Sequence, residues 1–237
     1  MLLSRVISIL LSLLFIQSVA HAQDPYVLAP LDVREAKTND MGVLDQPYMA
    51  LTNANVVDVR TGNILRDVTL VLQDGKISSI GNDMPPQDAQ IIDIKGYYVT
   101  PGLFEGHFHG ATAGDAKRAL VSGVTTAKGA SVDGFMDVAL SRMVDAGYMA
   151  GPEIMPAGVY VTPELGNTTA ILADERLYKY ANRELYGEEA LRDVVSINID
   201  RGAKWIKTRS SGLSSRTSGP DALEQAYTDS ELGAVMD

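Results

Sequence analysis

The pattern of apolar and polar positions divides the chain into segments of different character. Residues 6–19 form an apolar run without a charge. Residues 23–46 are polar, mixed in charge and without periodicity, which is typical of a linker or of an arm on the surface. From residue 48 onward, apolar residues recur in short runs, and these runs predict the elements of the fold.

Residues 48–100 contain short runs rich in β-branched residues, which predict strands separated by turns. The predicted strands are residues 49–59, 68–72, 77–80, 91–94 and 97–99. The run Gln73-Asp74-Gly75-Lys76 predicts a tight hairpin, because Gly75 takes a positive φ without steric cost. Several short strands with such turns predict a small β-sandwich or partial barrel.

After Thr100-Pro101-Gly102 the predicted strands alternate with predicted helices. Strands are expected at residues 103–108, 124–127, 153–161 and 205–208, and helices at residues 115–122, 134–146, 186–201 and 229–237. The helix at 186–201 is expected to carry one apolar face, formed by Leu191, Val194, Val195 and Ile199. This alternation predicts a parallel sheet covered by helices, and a (β/α) barrel fits it best. Only about four β/α units are present, whereas a closed barrel needs eight. The expected fold class is therefore α/β, the N-terminal part of a (β/α)8 TIM-type barrel preceded by a small β-sandwich domain.

The start of the chain has the three parts of a secretory signal peptide. Arg5 supplies a positive charge, the apolar run follows, and Ala20-His21-Ala22 is a cleavage signal. The run of about 14 apolar residues is shorter than the roughly 20 that span a bilayer. We therefore expect cleavage near Ala22 and an exported protein, periplasmic or secreted, without a stable membrane anchor.

The expected organisation of the whole chain follows from these segments. It comprises a signal peptide (1–22), a linker or arm (23–47), a small β-sandwich accessory domain (48–100) and an incomplete (β/α) barrel (101–237).

Composition excludes several kinds of site and partner. The chain has no cysteine, so disulfides, thiolate metal sites and a cysteine nucleophile are ruled out. Its formal charge of −10 at pH 7 repels phosphate backbones, so nucleic acid is not an expected partner.

Two neighbouring histidines are the strongest chemical signal in the chain. His107 and His109 end the first predicted barrel strand, with one residue between them. Alternate residues of a strand face the same side, about 6.6 Å apart, so both imidazoles can converge on one divalent ion. An isolated H-x-H is more often a pair of structural histidines. Barrels, however, keep their active sites at the C-terminal ends of their strands, and this position favours a metal site.

The segment that carries these histidines resembles a known signature. Residues 97–110, YYVTPGLFEGHFHG, resemble the amidohydrolase superfamily, in which a Pro-Gly-Leu turn leads into H-x-H. The segments LTNANVVDV and LVLQDGKISSIG resemble the accessory β-domain of that superfamily. SGVTT at 122–126 and GPEI at 151–154 are similar to its second and third strands.

The resemblance implies a mechanism and a cofactor. In this superfamily a hydroxide activated by one or two divalent ions attacks an amide, ester or lactam carbonyl. The expected metal is zinc, and the expected substrate is a small molecule or a short peptide. Histidines of the first strand hold one ion, which implies His107 and His109 as metal ligands.

A third ligand is implied by residues 201–207, RGAKWIK. This run is similar to the fourth-strand motif of the branch that contains imidazolonepropionases and Xaa-Pro-type dipeptidases. In that branch a lysine at the end of the strand is often carboxylated and bridges two metals, which implies Lys207. A bare lysine is a cation and cannot ligate, whereas its carbamate supplies an anionic oxygen. Lys204 is the competitor, on the opposite face of a strand.

The chain departs from the family pattern at three places. Glu105 stands where aspartate is commoner, and Ala127-Lys128-Gly129 replaces the usual Val-Arg-Asp, so a salt bridge or pocket contact is expected to be missing. No histidine follows His109, although the family requires two more and a general-base aspartate. The expectation is that those residues lie beyond Asp237.

The polar stretch after Lys207 supplies candidate substrate contacts. Arg209, Ser210, Ser211 and Arg216 follow the fourth predicted strand on the expected catalytic face, where they could meet a substrate carboxylate. A polar surface loop explains the same residues equally well.

Three alternative functions follow from the motifs and from the family resemblance. The first is metal-dependent hydrolysis of C–N bonds in a peptide-like or cyclic amide, with the 237-residue chain alone showing weak metal binding and little turnover. The second is an inactive or non-catalytic short binding protein. The third is a lactone or ester hydrolase that uses the same metal site. An open half-barrel also exposes a strand edge, so self-association into homo-oligomers is expected.

Overall fold

The computed structural model describes residues 48–211 and 224–237, so the predicted signal peptide, the linker and Arg216 lie outside the described residues. The strands are β1 (Tyr48–Asp58), β2 (Asn63–Gln73), β3 (Lys76–Gly81), β4 (Gln90–Asp93), β5 (Tyr98–Val99), β6 (Leu103–Phe108), β7 (Val124–Gly129) and β8 (Glu153–Met155). The helices are α1 (Ala113–Val121), α2 (Met136–Asp145), α3 (Glu188–Arg201) and α4 (Asp229–Met236). Short 3₁₀ turns occupy Asp133–Phe135, Pro163–Asn167, Thr169–Ala173 and Glu175–Tyr180. The predicted α/β class is confirmed.

The chain divides into two compact units. Among the described residues, the first unit comprises those from Tyr48 to Leu103 together with Ala119–Thr125, and the second comprises Phe104–Arg118 together with those that follow from Thr126 onward.

The first unit contains a five-stranded sheet built around β1. β1 pairs with β2 antiparallel and with β4 and β5 in parallel, while β3 pairs with the other side of β2. The side chains on one face of β1 and β2 form a buried core: Met49, Leu51, Ala54, Val56, Val68, Leu70 and Leu72. In the predicted hairpin, Asp74 and Gly75 have φ of 49° and 73°, as a type I′ turn requires. The β-sandwich remains a prediction.

The second unit contains most of a three-stranded sheet in the order β6-β7-β8. Two backbone hydrogen bonds, from Leu103 N to Gly123 O (2.8 Å) and from Ala130 N to Phe108 O (2.7 Å), show that β6 and β7 run in the same direction. β8 is parallel to β7. The carboxyl ends of the three strands therefore lie at one edge of the sheet.

The third predicted barrel strand is shorter than expected. The pattern predicts residues 153–161, but β8 ends at Met155 and pairing resumes only at a bridge between Val161 and Thr208. Pro156 has no N–H to donate. The next two N–H groups, of Ala157 and Gly158, donate to the Asp137 carboxylate at 2.8 and 3.1 Å. The Asp137 side chain therefore accepts the hydrogen bonds that a neighbouring strand would otherwise accept.

The fourth predicted strand, residues 205–208, is reduced to the bridge at Thr208. It still runs parallel to the preceding segment, since Lys204 N donates to Pro156 O and Val161 N donates to Lys207 O. The parallel direction was expected, whereas the length of regular strand was overestimated.

The buried face of α3 differs from the predicted one. Leu191, Val194 and Ile197 are buried in the core of the second unit, whereas the expected Ile199 is 58% exposed. Asn198 is completely buried in place of an apolar residue. Its Oδ1 accepts a hydrogen bond from Val159 N at 2.8 Å and its Nδ2 donates to Val159 O at 3.2 Å, so it pairs with the backbone as a strand would.

Substitution Asn198→Ala should lower the free energy of unfolding by about 2–4 kcal/mol, because it leaves the buried N–H and C=O of Val159 without partners. Urea unfolding followed by circular dichroism measures this change. Ser196→Ala, on the exposed face of the same helix, is the matched control. Equal stability of the two variants would show that the amide does not hold Val159.

A second buried polar group ties the Glu175–Tyr180 turn to the end of α3. The Asp174 carboxylate, on a residue only 5% exposed, accepts hydrogen bonds from Arg176 Nε (3.0 Å) and Arg201 Nε (2.6 Å). The hydrogen bonds from Arg176 and then Arg201 hold the pKa of Asp174 well below its usual range, although burial opposes them.

A lowered pKa predicts a pH-dependent contribution to stability. The unfolded Asp174 titrates near 4, so its stabilising effect is complete above that pH and is lost as the pH falls towards the lower folded-state pKa. Asp174→Asn should cost about 2 kcal/mol at pH 7, and the difference from the parent chain should shrink below about pH 4. Unfolding at a series of pH values tests this. Asp200→Asn, whose exposed carboxylate also binds Arg176, should cost far less.

Candidate metal centre

The two histidines of the first barrel strand meet at the carboxyl edge of the sheet. The Nε2 atoms of His107 and His109 are 3.0 Å apart, and their rings meet edge to face with centroids 4.9 Å apart. Glu105, two residues earlier on β6, accepts a hydrogen bond from His107 N at 2.8 Å. Both imidazoles are exposed, so an ion can reach them from solvent.

The separation of the two nitrogens fits a shared cation. Two lone pairs at 3.0 Å repel each other unless a proton or a cation lies between them. Zn–N bonds of about 2.0–2.1 Å in tetrahedral geometry place two nitrogens roughly 3.3 Å apart, close to the observed distance. The separation of the two Nε2 atoms is therefore compatible with two ligands of one ion, and the role of His107 and His109 as metal ligands remains a prediction.

The second ring nitrogen of His109, Nδ1, forms hydrogen bonds with two other residues of the chain. Its Nδ1 lies 2.8 Å from Ser131 O and 3.3 Å from Tyr160 Oη. Ser131 follows β7 and is fully buried with φ of +71°, a conformation that costs a non-glycine residue about 1–3 kcal/mol. Three strand ends, those of β6, β7 and the segment after β8, thus meet at this imidazole.

Tyr160 is itself fixed by charged neighbours. The Arg209 guanidinium lies 3.9 Å from the centre of the Tyr160 ring, and Arg209 Nη1 donates to Glu164 Oε1 at 2.7 Å. Thr162 Oγ1 donates a short hydrogen bond to the other carboxylate oxygen of Glu164. Partial burial disfavours the charged form of Arg209, but its hydrogen bonds to Glu164 and Tyr160 raise its pKa, so it stays cationic.

Lys207 lies on the neighbouring segment, but the structure does not bring its side chain to the histidines by a hydrogen bond or an ion pair within the described residues. Lys207 is partly buried, whereas the competing Lys204 is exposed. The role of Lys207 as a ligand remains a prediction. Among residues 48–211 and 224–237, no group of three or more His, Cys, Asp or Glu side chains is placed to hold a metal ion.

The other predicted substrate contacts lie beside Arg209. Ser210 O accepts a hydrogen bond from Ala226 N at 2.9 Å, and Ser211 forms a bridge with Gln225. These two residues therefore pair with the chain that precedes α4. Arg216 lies outside the described residues, and the substrate-binding role of the whole set remains a prediction.

Lys128 and Gly129, which stand where the family pattern has arginine and aspartate, make distinct contacts in the structure. Lys128 Nζ lies 3.9 Å from the centre of the Trp205 ring, so this cation binds an aromatic face. A Cβ at Gly129 would lie 3.1 Å from Asp137 Oδ2. Asp137 thus brings a carboxylate beside the position where the family pattern has one. Burial raises the pKa of Asp137, although backbone N–H groups, first those of Ala157 and Gly158, oppose that shift.

Sequence reasoning missed several residues around the site, namely Ser131, Asp137, Tyr160 and Glu164. Tyr160 and Glu164 fall in or just after the third predicted strand, where carboxyl-end residues of a parallel sheet are expected to face the site. That position was an available signal. Ser131 acts through its backbone carbonyl and Asp137 lies in a helix, so neither carries a comparable signal.

The chain is similar to several known proteins over part of its length. No protein-family model matches the chain. Among curated proteins it is 34% identical over 92 residues to a dihydroorotase of Ruminiclostridium cellulolyticum, covering 38% of this chain and 21% of that protein. Other curated relatives are an allantoinase and adenine deaminases.

Two solved structures extend the similarity over most of the chain. A prolidase complexed with N-methylphosphonate-L-proline is 25% identical with a TM-score of 0.59, covering 79% of this chain and 52% of that one. A Xaa-Pro dipeptidase with bound methionine has a TM-score of 0.62 at 20% identity, covering 80% and 53%, and supports the fold alone. The chain spans about half the length of these structures and about a fifth of the dihydroorotase.

If the two histidines share an ion, His107→Ala or His109→Ala should each weaken Co²⁺ binding at least 10-fold, because each removes one of the two nitrogens. Competition with a chromophoric chelator measures the affinity. Tyr148→Ala, an 83% exposed aromatic in the same unit, is the control and should bind as the parent chain does. Unchanged binding in both histidine variants would exclude this pair as the site.

Proposed function

The curated relatives and solved structures to which this chain is similar point to the amidohydrolase superfamily, and from that premise we propose that it is the N-terminal part of a metal-dependent hydrolase of C–N bonds. Its homologues are hydrolases that act on C–N bonds, and the alignments with them cover only part of their length. The activity, substrate and partners of the whole protein are therefore part of the proposal.

The observation that carries the proposal is the convergence of two Nε2 atoms at 3.0 Å on the exposed edge of the sheet. A divalent ion, for which zinc is the proposed identity, would polarise the scissile carbonyl and lower the pKa of water. His107 and His109 would hold this ion. Their placement at the carboxyl ends of parallel strands agrees with where barrel enzymes carry out their chemistry.

Lys207 is proposed as the ligand that joins a second ion to the first. The proposal requires its ε-amino group to lose its extra proton and add CO2 with release of a second proton, because only the resulting carbamate offers an anionic oxygen. Partial burial of Lys207 and exposure of Lys204 favour Lys207 between the two candidates. The barrel itself, about half of which this chain would supply, is part of the same proposal.

The proposed substrate class is a peptide-like or cyclic amide. The relatives include a dihydroorotase and an allantoinase, and the solved neighbours include a prolidase and a Xaa-Pro dipeptidase. Arg209 is proposed to meet a carboxylate of such a substrate, with Ser210, Ser211 and Arg216 nearby. Because Arg209 already binds Glu164, a substrate carboxylate would share this guanidinium with Glu164.

Export is a further part of the proposal, carried by the basic start, the apolar run and the Ala20-His21-Ala22 signal. Across the described residues, none of the helices has the length and apolar character needed to cross a membrane.

The proposal is tested by matched lysine variants and a substrate panel. Lys207→Ala should lower the zinc content of protein purified with bicarbonate and zinc, whereas the neighbouring Lys204→Ala should not. Metal content is measured by atomic absorption, and the mass of intact protein under native conditions reports the carbamate. Equal zinc content in the two variants would reject Lys207 as a ligand.

Hydrolysis is assayed on Xaa-Pro dipeptides, cyclic amides and lactones with the longest form of the protein encoded by its gene. Release of amine or ring opening that is abolished by His107→Ala supports the amidase proposal. Turnover of lactones alone would favour the ester-hydrolase alternative. Metal-dependent turnover that survives His107→Ala and His109→Ala together would contradict the proposed centre.

A further inference from the structure

The imidazole of His109 has distinct partners on its two nitrogens. Nδ1 faces the carbonyl oxygen of Ser131 at 2.8 Å, and Nε2 faces the other histidine at 3.0 Å. A carbonyl oxygen can only accept, so Nδ1 must carry the hydrogen of this bond. In the neutral imidazole the Nε2 atom then holds the lone pair that a metal ion requires.

We infer that Ser131 and Tyr160 are positioning residues, which hold His109 in the Nδ1–H tautomer with its Nε2 lone pair directed at the metal position. This inference rests on the proposed function, because it concerns the same site. Partners on the second nitrogen of a ligating histidine fix the orientation of its ring and raise its basicity. The two acceptors come from different strand ends, so the ring is held from two directions.

The backbone conformation of Ser131 directs its carbonyl oxygen towards His109. Its φ of +71° is unusual for a residue with a side chain, and its hydroxyl has no hydrogen-bond partner in the described part of the chain. The hydroxyl therefore does not explain the conformation. Hydrogen bonds from Ala130 N to Phe108 O and from Val132 N to Gly158 O hold the residues on either side, which leaves the Ser131 carbonyl pointing at the imidazole.

Tyr160 is held by an arrangement that leaves its hydroxyl at His109. Arg209 covers the ring at 3.9 Å, and the buried Glu164 carboxylate anchors Arg209 at 2.7 Å. The phenolic oxygen lies 3.3 Å from Nδ1, where it shares the Nδ1 hydrogen with the Ser131 carbonyl. The chain of contacts from Glu164 to His109 thus links the candidate substrate-binding Arg209 to the candidate metal ligand.

The test uses Tyr160→Phe, which keeps the ring and its stacking on Arg209 but removes the hydroxyl. In the metal-free 237-residue chain, long-range ¹H–¹⁵N spectra assign the tautomer of each of the three histidines. The parent chain should show His109 with a protonated Nδ1. Tyr160→Phe should shift His109 towards a mixture of tautomers and weaken Co²⁺ affinity about 10-fold.

Two control variants separate positioning from general structural effects. Tyr178→Phe removes the hydroxyl of an exposed tyrosine elsewhere in the unit and should change neither readout. Ser131→Ala removes the hydroxyl but keeps the carbonyl, so it should also match the parent chain. Weaker metal binding in Ser131→Ala would show that the hydroxyl, and not the backbone, acts on the site.

The outcomes distinguish this inference from the proposed function. A Tyr160→Phe variant with the parent tautomer and parent Co²⁺ affinity would overturn the inference while leaving the metal site intact. Loss of Co²⁺ binding in His109→Ala establishes that the site exists. If His109→Ala binds Co²⁺ as the parent does, the proposed metal centre fails, and the tautomer spectra still decide whether Tyr160 orients His109.

Discussion

Parallel pairing of successive segments is the constraint on which the candidate site depends. β6, β7 and β8 run side by side in one direction, and the chain around Thr208 continues the series beside Val161. Because parallel strands end at the same edge, His109, Ser131, Tyr160 and Arg209 meet there despite their separation in sequence. The loops after the strands then decide which atoms face each other.

Beyond the short regular strands, buried side chains replace the missing backbone ladder. Asp137 accepts the N–H groups that follow Pro156, and Asn198 pairs with both backbone groups of Val159. Unpaired buried backbone groups are costly, so each of these polar side chains stabilises a segment that would otherwise have to pair with a strand. These hydrogen bonds hold residues 157–159, which directly precede Tyr160, the residue that contacts the candidate metal ligand.

Local patterns predicted most elements because each has a local cause. The Asp-Gly hairpin, the start of α4 at its Thr228–Glu231 capping box and the β6 strand with its two histidines all follow from short-range preferences. The pattern failed at residues 156–161 and on the face of α3. At residues 156–161 the hydrogen bonds come from buried polar side chains of distant helices, and on α3 one of these side chains, Asn198, takes a buried position itself. An amphipathic pattern gives no sign of either.

The amino-acid sequence by itself determined the α/β class, the H-x-H pair at the end of a strand and the likeness to amidohydrolases. These features depend on residue order and on side chains close together in the chain. Only the tertiary structure decided that the Nε2 atoms of His107 and His109 lie 3.0 Å apart. It also decided that the Ser131 carbonyl and the Tyr160 hydroxyl face Nδ1 of His109, and that Glu164 binds Arg209. The reason is physical: hydrogen-bond direction is set by atoms brought together across strands, and its geometry is not encoded in the spacing of the residues that supply them.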